Sequence, residues 1–125
     1  MSNWQDVEIG LVAYLSKTLG CRVATRVPSD VETLPRFVRI SRGPGSDDTL
    51  TDSPLIDVES FTQGYADGFT LAEDARQALL ALSGKFAGSV LVDRVRTSGS
   101  PMWVDYRNPG TNRFVASYRL EYRQI

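Results

Sequence analysis

Three carboxylates lie close together in the chain, at Asp47, Asp48 and Asp52, within a segment rich in glycine and polar residues. Grouped carboxylates can bind Mg²⁺ or Ca²⁺, and one of them can act as a general base. Their spacing differs from the calcium loop of an EF-hand, and no glutamate stands where that loop needs its bidentate ligand. The pattern therefore favours solvated loop acids, and the sequence predicts no metal site.

Other catalytic residue types are scarce. The chain has no histidine and one cysteine, Cys21, which argues against zinc and redox-metal sites and removes the commonest general base. Without a histidine partner, Cys21 is better interpreted as a core or half-buried thiol of a strand than as a nucleophile. Gly43 and Gly45 are not followed by the lysine and hydroxyl residue of a phosphate-binding loop. We therefore predict that the chain is not an enzyme and holds no cofactor.

Length and composition indicate one domain over residues 1–125. The chain is 42% hydrophobic and 23% charged, as soluble globular domains are, and it is long enough to bury a core without disulfides. No apolar run approaches the roughly 20 residues of a membrane span. The polar start lacks the features of a secretory signal, and a single cysteine fits the cytoplasm.

Charge is unevenly distributed along the chain. Residues 28–75 carry ten acidic residues against three arginines, whereas residues 90–125 carry six arginines against three acids. The basic residues are twelve arginines and two lysines. Arginine is favoured at interfaces because its planar fork pairs with carboxylates and stacks on rings, although a GC-rich genome would also favour arginine.

Nucleic-acid binding is one interpretation of the C-terminal segment, where three arginines alternate with three aromatic residues, Arg113, Phe114, Tyr118, Arg119, Tyr122 and Arg123. A strand repeats every two residues, so the arginines and the rings would lie on opposite faces. A base-stacking platform needs both on one exposed face. The isoelectric point of about 5.4 also disfavours a phosphate-binding surface.

Protein–protein contact accounts for more of these features. Trp103 and Tyr106 flank polar segments, and aromatic residues with arginine are typical interface anchors. An acidic middle and a basic end suit a heterologous, head-to-tail interface between copies, which closes into a ring when the rotation allows. The candidate interface residues lie in two polar segments: Arg42, Asp47, Asp48 and Asp52 in the first, and Trp103, Arg107 and Arg113 around the second.

Periodicity predicts two helices, at residues 3–18 and 68–83, the second begun by a capping box from Thr70 to Glu73 or by Asp67. Strands are predicted at residues 21–27, 36–42, 55–62, 90–97, 102–106 and 113–123. A polar loop at residues 43–53, a break at residues 98–100 and a loop at residues 107–112 separate them. The predicted fold class is α+β, with a mixed, mostly antiparallel sheet and two helices packed against it.

The whole layout resembles a known family of virion proteins. An N-terminal helix leads to a strand ending at Pro28, and Pro35-Arg36-Phe37-Val38-Arg39-Ile40 opens the next strand before the Gly- and Asp-rich segment. Asp57-Val58-Glu59-Ser60-Phe61 and the helix Leu71-Ala72-Glu73-Asp74-Ala75-Arg76 follow. The chain ends in Ser100-Pro101-Met102-Trp103-Val104-Asp105-Tyr106 and Arg113-Phe114-Val115-Ala116-Ser117-Tyr118-Arg119-Leu120. This order resembles the tail terminator (tail completion) proteins of long-tailed bacteriophages, especially those of actinobacteria.

The resemblance implies an α+β minor tail protein of a siphophage virion that forms a homohexameric ring. Such a ring stops tail-tube polymerisation and joins the tail to the head–tail connector or stopper protein. It implies a position at the head-proximal end of the tail, assembly in the bacterial cytoplasm, no cofactor and no membrane. DNA would pass through the ring without specific binding. The family carries no invariant motif, so the interface residues above rest on position and charge.

Two other functions fit the same sequence. One is a different head–tail joining protein, and the other, of a different class, is a small cytoplasmic module or enzyme that binds a ligand such as a nucleotide. Ring formation separates the assembly subunits from the module. Loss of a measurable turnover on replacing Asp47, Asp48 and Asp52 with alanine would favour the enzyme.

Overall fold

The computed structural model describes residues 4–47, 52–88 and 90–124, and it contains two α-helices, one short 3-10 helix and six strands within them. The helices are α1 (Trp4–Leu19) and α2 (Tyr65–Leu80), and the 3-10 helix is Val31–Thr33. The strands are β1 (Arg22–Ala24), β2 (Arg36–Asp47), β3 (Asp52–Thr62), β4 (Lys85–Ala87), β5 (Val90–Val104) and β6 (Asn112–Gln124). No helix in these ranges is long and apolar enough to cross a bilayer.

The six strands form one mixed sheet in the order β1-β2-β3-β6-β5-β4. All neighbours are antiparallel except β1 and β2, which run parallel. Helix α1 contacts β1 and β2 at one edge and β4 and β5 at the other, so the sheet curls around this helix. The predicted α+β class, with a mostly antiparallel sheet and two helices packed against it, is confirmed.

The core lies between the two helices and one face of the sheet. Helix α1 contributes Val7, Leu11 and Leu15, which recur every four residues and are fully buried. Strand β6 alternates as the sequence predicts, with a row of buried side chains at Phe114, Ala116, Tyr118, Leu120 and Tyr122. Because burial follows period four in α1 and period two in β6, sequence periodicity alone assigns the inward faces of both elements.

A smaller apolar cluster covers one end of the opposite sheet face. Phe37 and Phe61 are cross-strand partners on β2 and β3, and with Val31 they are buried beneath the segment that holds the 3-10 helix. Tyr106 meets Phe61 edge-on, with ring centroids 5.2 Å apart. The rest of this sheet face carries mostly polar and charged side chains, and we call it the open face.

The sequence predicts a polar loop at residues 43–53. This prediction is wrong for residues 43–47 and 52–53, which the structure describes as strand. Strands β2 and β3 continue through most of it, with Gly45 opposite Pro54, Ser46 opposite Ser53 and Asp47 opposite Asp52. A register irregularity between Arg42 and Gly45 accommodates Gly43 and Pro44, which do not suit a regular ladder. The sequence did not indicate these strands because their residues are mostly polar and show no apolar alternation.

Other elements also differ from prediction, and β1 is shorter than predicted because it ends at Ala24 and not at residue 27. Helix α2 begins at Tyr65 with Gly64 as its N-cap, so both predicted starts, the capping box at Thr70 and the cap at Asp67, are wrong. The predicted break at residues 98–100 is a pair of register shifts inside one long strand, β5. Strand β4 was not predicted, because its three residues are too few to show a period.

Tyr118 gives the core a pH-dependent stability. Its hydroxyl is buried with no hydrogen-bond partner among the described residues, and burial raises the pKa of the phenol to about 12. The unfolded phenol ionises near pH 10 while the folded one stays neutral. Ionisation therefore favours the unfolded state as pH rises from about 10 to 12. Denaturant midpoints should fall over this range for the native chain, and less for Tyr118→Phe; equal slopes would contradict the prediction.

Candidate functional site

The structure places the two groups of candidate interface residues at opposite ends of the sheet. Asp52 on β3 lies opposite Tyr122 on β6, whereas Thr62, at the other end of β3, lies opposite Asn112. Ten residues of strand separate these positions, or about 33 Å at the usual rise of a strand. The acidic group and the group of Trp103, Arg107 and Arg113 therefore cannot act as one site within a single copy.

Two members of the acidic group, Asp47 and Asp52, lie where the described parts of β2 and β3 end, and we call this end of the strands the hairpin end. Asp47 and Asp52 face each other across the hairpin as the last paired residues. Asp48 lies outside the described residues, so the predicted grouping of three carboxylates is not seen as a unit. Arg42 lies five residues before the tip, opposite Ile56, and its side chain is partly buried.

The second group divides between the two faces of the sheet. Arg113 lies on the open face, where Glu59 is the hub of an ion-pair network. One carboxylate oxygen of Glu59 is 2.6 Å from Arg39 Nη1 and the other is 3.3 Å from Arg113 Nη1. Arg113 also donates to the carbonyl oxygen of Asp105 at 2.9 Å. These contacts fix Arg113 in the sheet, so its role is at least partly structural.

Tyr106 carries two guanidinium groups on its ring. The guanidinium carbons of Arg107 and Arg113 each lie 5.6 Å from the ring centroid, within the range of a cation–π contact. Arg107 is exposed and forms no ion pair with a described residue. Together with Val27 and Asp105 these side chains line a shallow cleft of about 400 Å³. Of the two arginines on this ring, Arg107 is thus the one that is available to a partner.

Trp103 belongs to an exposed aromatic group on the other face, which we call the aromatic end (Tyr65, Phe69, Trp103 and Phe114). Trp103 is 44% exposed, and its partner across the β5–β6 ladder is Phe114. The rings of Tyr65 and Phe69 lie 5.2 Å and 6.2 Å from that of Phe114, and they are 59% and 51% exposed. Three exposed rings around one buried ring resemble the anchors of a protein interface.

Tyr65 and Phe69 were missed by sequence reasoning. They stand four residues apart in the first turns of α2, so they lie on one face of the helix. The predicted start at residue 68 left Tyr65 outside the helix and concealed that spacing. Gly68, between them, packs so closely on Phe114 that an added Cβ would be 2.9 Å from the ring. If Gly64 had been predicted as the N-cap, Tyr65 and Phe69 would have been recognised as neighbours on one face of the helix.

The surroundings of Cys21 do not activate its thiol as a nucleophile. Burial raises the pKa of the Cys21 thiol, and nearby Arg36 offsets this in part. Arg36 forms a two-pronged ion pair with Asp67 in the first turn of α2, and this hydrogen bonding lowers the pKa of the Asp67 carboxyl. A raised pKa keeps the sulfur as the protonated thiol at neutral pH, which does not favour nucleophilic chemistry.

Comparison with known proteins identifies a structural likeness without a sequence family. No protein-family model matches the chain, and no curated protein matches it. Among solved structures, a chain in the virion of a native gene transfer agent particle superposes with a TM-score of 0.62. The match covers 96% of this chain and 90% of that one, at 15% sequence identity. At this identity the likeness establishes a shared fold over nearly the whole length.

Proposed function

We propose that this chain is a structural subunit of a virion, and that its role is that of a tail terminator. In this role a ring of copies stops polymerisation of the tail tube and joins the tail to the connector at the head. The observation that carries the proposal is the near-complete fold match to a virion chain of a gene transfer agent particle. The order of elements, which resembles tail terminator proteins, supports the same role independently.

The distribution of candidate contacts suits a ring subunit. A subunit within a ring must bind the copies on either side and also proteins above and below. Two separated surfaces, the hairpin end and the aromatic end, give the chain contacts about 33 Å apart along the sheet. We assign the aromatic end to the partner protein stacked on the ring, because exposed aromatic residues often dominate the binding energy at such interfaces.

The ring is tested by size-exclusion chromatography with light scattering over a range of protein concentrations, with and without a tail-tube protein from the same genome. We expect a species about six times the 13.8 kDa mass of the chain, formed alone or on the end of the tube. A chain that stays monomeric in both conditions would contradict the proposal. A ring that binds connector protein and not tube protein would instead assign the chain to another head–tail joining role.

A further inference from the structure

Strand β5 is an edge strand over most of its length. Strand β4 pairs with it at Val90–Val92 alone, and in the turn after α2 the hydroxyl of Ser83 accepts a hydrogen bond from the main-chain N–H of Val95 at 3.0 Å. Among the described residues, no strand pairs with the outer side of β5 beyond that point. The outer side of residues 96–104 is therefore open to an added strand.

Only part of this outer side carries the features that usually protect an edge strand. Arg96 is exposed, and register shifts lie between Thr97 and Met102, in a stretch that contains Pro101. Charged residues, bulges and proline all discourage a further strand. From Met102 to Val104 the ladder with β6 is regular again, and these three residues carry no charge. This segment, which we call the β5 edge (Met102–Val104), is the part best suited to strand addition.

The β5 edge exposes a large apolar side chain on each side of the sheet. Trp103 is 44% exposed and Met102 is 63% exposed. Trp103 lies opposite the buried Phe114 on the helix side, and because successive residues of a strand point to opposite sides, Met102 lies on the open face. A partner that covered one face of the sheet would bury only one of these side chains. A partner that approaches from the edge can cover both, and exposed apolar surface of this kind marks interaction sites.

An extended segment suits the β5 edge better than a helix does. The main-chain N–H and C=O groups of a helix are already paired within it, whereas an extended chain can pair with a strand along its length. The residue of that segment opposite Trp103 would lie on the helix side, where the aromatic end is, and its two neighbours would lie on the open face beside Met102 and Val104. The occupant should therefore be uncharged and apolar over about three residues.

We propose that the protein stacked on the ring adds a strand to the β5 edge and places an apolar side chain of that strand against the aromatic end. Trp103 belongs to both surfaces, so a single partner segment covers them together. Main-chain hydrogen bonds fix the position and direction of the segment, and the exposed rings select its central side chain. This inference rests on the proposed function, in which the stacked partner is the tail-tube protein, and it specifies how that partner binds.

Hydrogen exchange followed by mass spectrometry tests the main-chain pairing. Amides that point outward from the β5 edge should exchange rapidly in the chain without its partner. Binding of a tail-tube protein from the same genome should slow their exchange at least about tenfold. Strand β1 is the matched control, because it is also a three-residue edge that pairs with β2 alone among the described strands. Its exchange should not change when the tube protein binds.

A lysine at the β5 edge gives a second measurement. Met102→Lys places a charge beside the added strand, as natural edge strands do to prevent pairing, and is expected to weaken tube binding at least about tenfold. The matched control is Thr18→Lys, at an exposed position in the last turn of α1, and it should bind the tube as the native chain does. Because Met102 is exposed, its replacement should change folding little, which circular dichroism checks.

The outcomes separate this inference from the proposed function. Tube binding that leaves exchange at the β5 edge unchanged, or that keeps full affinity in a folded Met102→Lys variant, would overturn the strand addition and leave the terminator role intact. Slow exchange at the β5 edge in a ring without tube protein would show that a second copy covers the edge, and would also overturn the inference. If the native chain binds no tube protein at all, the proposed function fails as well.

Discussion

Replacing Gly10 with valine is expected to destabilise the fold by more than about 3 kcal/mol, because overpacking costs of 1–3 kcal/mol rise when backbone is the obstacle. A Cβ at Gly10 would collide with the carbonyl oxygen of Ala87, and it would lie 2.7 Å from the carbonyl carbon of Ala87 and 3.2 Å from the nitrogen of Gly88. Gly88 has a φ of +63°, so the turn after β4 cannot yield easily. Helix α1 would have to move off β4.

Whether Gly10→Ala lowers or raises the free energy of unfolding distinguishes the effect of packing from that of helix propensity. Gly10 lies inside α1, where glycine is less favourable than alanine by about 1 kcal/mol. If propensity dominated, Gly10→Ala would stabilise the chain; we expect it to destabilise instead, by less than valine does. Gly99→Ala is the control, since its Cβ would make ordinary contacts at 3.8 Å. Chemical denaturation of the three variants gives the comparison, and a gain in stability for Gly10→Ala would contradict the expected contact.

Regular elements with one buried face could be predicted from the sequence. Strand β6 alternates between core and open face without interruption, and α1 repeats its apolar residues at helical spacing, so both faces were predicted correctly. In these elements local pattern and tertiary burial agree, which is the condition under which a sequence specifies its structure most plainly.

The remaining features depend on contacts that a single sequence does not show. The pairing of β2 with β3 continues to Asp47 and Asp52 because the two strands are already paired below these residues, and the polar residues there show no apolar alternation in the sequence. Strand β4 exists because β5 lies beside it. Trp103 and Arg113 were correctly placed near one polar connection, yet they lie on opposite faces of the sheet, and the distance between them and the hairpin end follows from strand order alone.

Particles assembled from a genome that lacks this gene are expected to carry tails of uncontrolled length that do not join heads. In the proposed role the ring occupies the growing end of the tube and presents the surface that the connector binds. Without the ring, tube subunits continue to add to the growing tail, and the connector has no surface to bind. Negative-stain electron microscopy should show a broad distribution of tail lengths and separate heads. Tails of normal length, attached to heads, would contradict the terminator role.

Complementation with variants connects this outcome to the aromatic end. Trp103 and Phe69 are exposed, so their replacement should change folding little. Interface anchors of this type are typically worth about 2 kcal/mol each. The pair Phe69→Ala/Trp103→Ala is therefore expected to weaken tube binding about a hundredfold or more and to fail to restore tail length. Phe86→Ala removes an equally exposed ring on β4, away from this surface, and should complement fully. If both variants complement alike, the stacked partner binds elsewhere and the aromatic end loses its assigned role.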